Sequence, residues 1–303
     1  MPEFEAPESG AAELIDAHHH LWDTRVLDYP EFAGDPDLER PYLAGDYDAA
    51  AGACGVTGSI VVEAATAGAP GDDETRWLRR EAACSRAVAG VVAWAPLGEP
   101  GLAGYLRDLL AAPGPPVVGI RYGLADSPAL MAEPDLRAGV QAVGAAGLPF
   151  DLLVNADGLA AAAGLVQSCP DTRFVLNHLG NPPAGPGLDD WRADLARLAA
   201  CDRVSGKLSG VAAEHAGRPA TAANLRFAVE VFGPDRLMFG SDWPVSTLGG
   251  SRGLAAWVEA VTGALGSLRH SELTRILAGT ARAVYGLTEP SPAWPAGSTQ
   301  GRV

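Results

Sequence analysis

The sequence predicts an α/β chain folded as a single (β/α)8 TIM barrel, with an insertion over the barrel mouth after the first strand. Three observations predict it. Short apolar runs recur along the chain, stretches with helical spacing separate them, and polar or titratable residues stand at the ends of most runs. A doubly wound open sheet shares the alternation, but no G-x-G-x-x-G follows the first run, so the barrel is preferred.

The expected strands are Leu14–His20, Ser59–Ala64, Gly90–Pro96, Val117–Tyr122, Phe150–Asn155, Arg173–His178, Arg203–Ser209 and Arg236–Ser241. Runs such as IVVEA, FDLLVN and FVLNH are almost continuously apolar, as strands covered on both faces of a parallel sheet require. The expected helices are Asp72–Val88, Leu102–Leu110, Glu133–Ala146, Gly158–Cys169, Asp189–Ala200, Thr221–Phe232, Ser251–Leu265 and Ser271–Tyr285. Their punctuation agrees. Asp72 and Asp73 open an acidic first turn, Pro134 occupies a first helical position, and Gly147 stands where a helix C-cap belongs.

The segment 22–43, with Tyr29, Pro30, Phe32 and Pro36, is too long for an ordinary βα loop and reads as the mouth insertion. Residues 1–11 and 288–303 lack core patterning and are expected to be a disordered N-terminal and a flexible C-terminal tail around a barrel of residues 12–287.

Composition narrows the function. A net charge of −15 argues against nucleic acid and against docking on anionic lipid. No run approaches the length of a membrane span, and the first residues lack a signal-peptide pattern. Cys54, Cys84, Cys169 and Cys201 lie far apart, as expected of free thiols in a reducing cytoplasm. The expected partner is a small-molecule substrate, and self-association is left open.

In a barrel of this kind the chemistry gathers at the C-terminal ends of the strands. The first strand delivers His18 and His20, which alternation places on one face with His19 on the other. Later strands deliver Glu63, Arg121, Asn155, His178, Lys207 with Ser209, and Asp242. Each has a plainer reading taken singly: His178 as a core histidine, Lys207 as a solvated cation, Glu63 as a structural partner of Arg121, Asp242 as a helix cap. Chance placement of polar groups at most strand ends is the harder assumption.

These residues carry a resemblance. IDAHHHLWD at 15–23, the segment 61–78, GIRY at 119–122, NHLGNP at 177–182, KLSG at 207–210, DRLMFGSDWPV at 235–245 and GTARAVYGL at 279–287 are similar to the amidohydrolase superfamily, in its branch of sugar-lactone and pyrone-lactone hydrolases. The likeness runs from Ile15 to Leu287. Two departures stand out: Asn177 and Asn181 replace an Asp and a Lys common in relatives, and Glu63 stands where many have Gln.

The resemblance implies opening of a small cyclic ester by water, with Asp242 as general base and His18, His20 and His178 polarising the carbonyl. It leaves open whether they do so directly or through one divalent ion, zinc or manganese. If an ion is held, the expected ligands are His18, His20, Glu63, His178 and Asp242. Arg121 is expected to anchor the substrate by its planar fork, with Trp22 and Tyr122 packing on a ring and Asn155 and Lys207 lining the site. Related barrels use the same His and Asp set for non-oxidative decarboxylation of small aromatic or unsaturated acids, usually with SDYP in place of Ser241-Asp242-Trp243-Pro244. A barrel that only binds a ligand is a third reading, disfavoured by the intact set.

Overall fold

A computed structural model describes residues 13–64, 71–125, 127–210, 217–248 and 253–288. The expected tails, residues 1–11 and 288–303, lie outside the described residues apart from Thr288. Eight parallel strands form one sheet in sequence order: β1 Ile15–His19, β2 Gly58–Val62, β3 Val88–Trp94, β4 Val117–Gly123, β5 Phe150–Leu153, β6 Phe174–Leu176, β7 Val204–Leu208 and β8 Leu237–Phe239. Beyond the strand ends, the His20 amide donates to the Trp243 carbonyl (2.7 Å) and the Asp242 amide to the His18 carbonyl (2.7 Å). These two bonds bring the last strand back to the first and close the barrel.

The helices between strands are α1 Ala44–Ala53, α2 Gly71–Cys84, α3 Leu102–Ala111, α4 Pro134–Ala145, α5 Leu159–Ser168, α6 Leu188–Ala199 and α7 Pro219–Phe232. After β8 come α8 Gly253–Ala264, α9 His270–Thr274 and α10 Thr280–Tyr285. Sequence reasoning missed α1. Its sequence AGDYDAAAGA carries little apolar periodicity, and only Ala44, Tyr47 and Ala51 are buried.

Alternation along the strands sorts the core into two parts. Leu14 and Val61 belong to the shell between strands and helices. Ile15, Ala17, Ile60, Val62, Val175 and Met238 join Ala278, Ala281 and Tyr285 in the smaller inner cluster. The strands are shorter than expected at both His178 and Asp242. Each of these lies past its strand in a left-handed backbone conformation, with φ of 54° and 58°. For a residue with a Cβ this costs roughly 1–3 kcal/mol, held by the surrounding structure.

The mouth insertion is present. Trp22 and Tyr42 exchange backbone hydrogen bonds of 3.0 and 2.8 Å at its base. Trp22 is wholly buried, packed on Phe32 and Tyr42, and its indole donates to the carbonyls of Leu38 and Arg40. This corrects the expectation that Trp22 stacks on a substrate ring. The side chain is the insertion's own core.

Candidate active site

Asp242 is the hub of the strand-end residues. Its Oδ1 lies 3.3 Å from His20 Nε2, 3.6 Å from His18 Nε2 and 3.8 Å from His178 Nε2. Asp16, two residues before His18 on β1, builds the support. Its Oδ1 accepts from the amides of His18 (3.1 Å) and Ser241 (2.8 Å), and its Oδ2 accepts from Ser241 Oγ (2.5 Å) and Tyr47 OH (2.9 Å). One buried carboxylate thus fastens the histidine strand to the turn that presents Asp242. Gly240 makes the approach close enough: a Cβ there would meet His18 Cβ at 2.8 Å.

Each imidazole has its own anchor. His20 Nδ1 lies 2.9 Å from the Val62 carbonyl, which only accepts, so that nitrogen carries a proton and Nε2 is the ring atom turned to Asp242. His178 Nδ1 is 2.9 Å from Ser209 Oγ, and Gly210 lies so close that a Cβ would strike the ring. His18 Nδ1 is 3.3 Å from Lys207 Nζ, which is wholly buried and paired with Asp151 Oδ2 at 2.5 Å. Asp151 also accepts from Asn177 Nδ2 (3.0 Å) and Tyr285 OH (2.7 Å). His19 faces the other way, as alternation requires, stacked on Tyr47 and 3.1 Å from Ser59 Oγ.

Burial pushes His18 well below the usual imidazole range, with Lys207, His178, His20 and Arg121 adding to the effect. His178 falls to about 4, mainly by burial, although Asp242 pulls it upward. Burial raises the Asp242 carboxyl, but His178, the hydrogen bond and charge of His20, and Arg121 outweigh it and hold it below its ordinary value. The site therefore offers neutral His18 and His178 beside an ionised Asp242 at neutral pH.

Glu63 and Arg121 find each other. Arg121 Nε donates to Glu63 Oε1 at 2.5 Å and Nη2 to the Glu63 carbonyl, both side chains being buried. Glu63 is therefore engaged by Arg121 and does not belong to the His18, His20 and Asp242 group, and part of the Arg121 fork is already engaged. Tyr122 is half-buried against the outer apolar shell. Asn155 Oδ1 accepts from Asn181 Nδ2 at 2.9 Å, a pair of loop amides near the mouth. Sequence reasoning missed Asp16, Asp151 and Glu74. A carboxylate inside an otherwise apolar strand run was the available signal for the first two.

Among the described residues, His18, His20 and Asp242 form a group whose ligand atoms all lie within 4.8 Å of one another. Two imidazoles and a carboxylate suit a borderline divalent ion such as zinc, and the Val62 carbonyl is the outer partner a ligating His20 needs. The group is fit to hold such an ion.

The amidohydrolase family model matches residues 15–287. The chain belongs to the amidohydrolase family. It is 35% identical over 303 residues to an L-fucono-1,5-lactonase of Burkholderia multivorans, with 92% of this chain and 98% of that protein covered. It is 32% identical over 262 residues to an L-fucono-1,5-lactonase of Burkholderia ambifaria, covering 80% and 85%. Among solved structures, an amidohydrolase from Burkholderia multivorans with bound zinc is 32% identical, with a TM-score of 0.81 over 91% of this chain and 100% of that one. The expected family and the barrel fold are thereby established, and this amidohydrolase carries His18, His20 and Asp242 in one cluster.

Proposed function

We propose that this amidohydrolase opens a neutral sugar lactone, an aldono-1,5-lactone, by attack of water. The convergence of three imidazoles on Asp242 Oδ1 carries the reading. A water beside Asp242 gives a proton to the carboxylate as its oxygen bonds to the lactone carbonyl carbon. Imidazole N–H groups facing the carbonyl oxygen stabilise the negative charge that develops there. Collapse breaks the ring C–O bond, and the departing alkoxide recovers the proton from Asp242. A divalent ion held by His18, His20 and Asp242 would supply Lewis-acid polarisation of the same carbonyl.

The charge of the site favours a neutral ring. Glu63 neutralises Arg121 within the buried site, so this cation is not free to take a substrate carboxylate. That supports a sugar lactone over a pyrone dicarboxylate, and over the carboxylic acids that a decarboxylase of this fold would take. The names of the two Burkholderia relatives agree with a six-carbon aldonolactone. A panel of aldonolactones, pyrone lactones and aromatic acids, followed by acid release and by CO₂ release, tests the reading. Acid release from neutral aldonolactones is the expected result, and CO₂ release with no lactone turnover would overturn it.

A further inference from the structure

Beyond the histidine cluster, a cavity of about 360 Å³ opens against His178 and Ser209, between the ends of β6 and β7 and the helices α7 and α8. His178 is the shared wall: its ring lies against Asp242 and lines this cavity. Trp257, Leu179 and Leu225 give the cavity apolar walls, and the Trp257 indole N–H is already committed to the carbonyls of Gly240 (2.8 Å) and Leu208 (3.2 Å). Besides His178, its described polar lining residues are uncharged amides and hydroxyls, Asn181, Asn224, Thr221 and Ser209, with Arg218 at the exposed rim. No carboxylate is among the described lining residues.

One of these groups is conspicuous. Asn224 lines the cavity, and among the described residues its Oδ1, shut off from solvent, has no hydrogen-bond partner. A buried acceptor without a donor costs about 1–3 kcal/mol, and such atoms call for an explanation. An amide presents an acceptor and two donors side by side, which matches a pair of neighbouring hydroxyls, each both donor and acceptor. The volume falls within the range of small-molecule pockets.

We infer that this cavity receives the hydroxylated part of the lactone while the ester carbonyl faces Asp242, and that Asn224 is the residue that reads those hydroxyls. The inference rests on the lactone reading above and adds a specificity residue to it. Apolar walls take the C–H faces of the sugar ring, the Asn224 amide turns about its last bond to bring its unpartnered oxygen to a hydroxyl, and Arg218 meets hydroxyls at the rim.

The test compares the wild-type enzyme with Asn224→Leu and Asn224→Ser on a hydroxylated aldono-1,5-lactone and on δ-valerolactone, whose ring is bare. The expected result is a loss of roughly 10- to 100-fold in kcat/KM on the hydroxylated lactone, mostly as raised KM, with δ-valerolactone unchanged. Equal losses on both substrates, or none on either, would overturn the assignment. Calorimetry with a non-hydrolysable aldono-1,5-lactam separates the two claims. If the wild type hydrolyses no lactone, the functional reading fails. Lactam binding that weakens in the two Asn224 variants still upholds the pocket, and absent or unaltered binding overturns it. Thermal melts of both variants establish that the fold is kept.

Discussion

The Nε2 atoms of His18 and His20 lie 3.1 Å apart, with Asp242 Oδ1 closing a triangle at 3.6 and 3.3 Å. The two histidines are set in different ways. A carbonyl holds His20 by its Nδ1, whereas His18 rests its Nδ1 near the buried Lys207 amine. Equilibrium dialysis against zinc is expected to show uptake by the wild type. His20→Asn should weaken that uptake by roughly tenfold or more, since ligand geometry of this kind sets affinity. Equal uptake by both proteins would place the ion elsewhere.

Asp242→Asn keeps the shape of the side chain and removes its capacity to take a proton. Turnover on an aldonolactone is expected to fall by roughly 10²–10⁴-fold. The thermal melt should stay close to wild type, because the Asp242 amide still bonds the His18 carbonyl. Near-normal kcat in a folded variant would assign the proton transfer to another group.

The acidic limb of the pH profile follows from the same residue. Asp242 is held below its ordinary value of 3.8, and His178 titrates at about 4. The base is therefore ionised and His178 neutral across mildly acidic and neutral solution. Consequently kcat/KM should stay flat from about pH 5 to about pH 7 and decline only on stronger acidification. An inflection near the ordinary histidine value would contradict this assignment.

Glu63→Gln leaves the Arg121 charge without its carboxylate. The ratio of kcat/KM for a carboxylate-bearing lactone to that for a neutral one is expected to rise roughly tenfold, about 1.4 kcal/mol of recovered attraction. An unchanged ratio would mean that Arg121 lies out of reach of the substrate. Steady-state kinetics on the two substrates decides it.

Glu74 on α2 ties the mouth insertion to β2, accepting from the Ala64 amide at 2.9 Å and from Tyr29 OH at 3.3 Å. Burial, with the nearby Glu63 charge, raises its carboxyl from 4.5 to about 8. The folded chain thus binds a proton that the unfolded chain has released between these two values. Stability is full below 4.5 and declines as pH rises through about 8. Glu74→Gln keeps both acceptor contacts and removes the titration. Its melting temperature should match wild type in mild acid and exceed it in mild base. Parallel curves for the two proteins would refute the buried, protonated Glu74.

The sequence by itself determined the order of the strands, all the helices between them but the first, the family, and the emergence of His18, His20, His178 and Asp242 together at the mouth. These follow from period and position: alternation set His18 and His20 on one face, and parallel strands bring every C-terminal end to one rim. Helix α1 escaped because its alanines and glycines carry little apolar contrast.

Partnership was decided only by the tertiary structure. Arg121 and Glu63 are 58 residues apart, and Asp16 grips Ser241 across 225 residues. Trp22 and Asn224 gained their roles from what surrounds them, one enclosed by the insertion and the other left with a buried acceptor unmet. Local sequence sets the direction in which a side chain leaves its strand. Register, barrel closure and the left-handed turns at His178 and Asp242 set what it meets, and these arise from interactions between segments far apart in the chain.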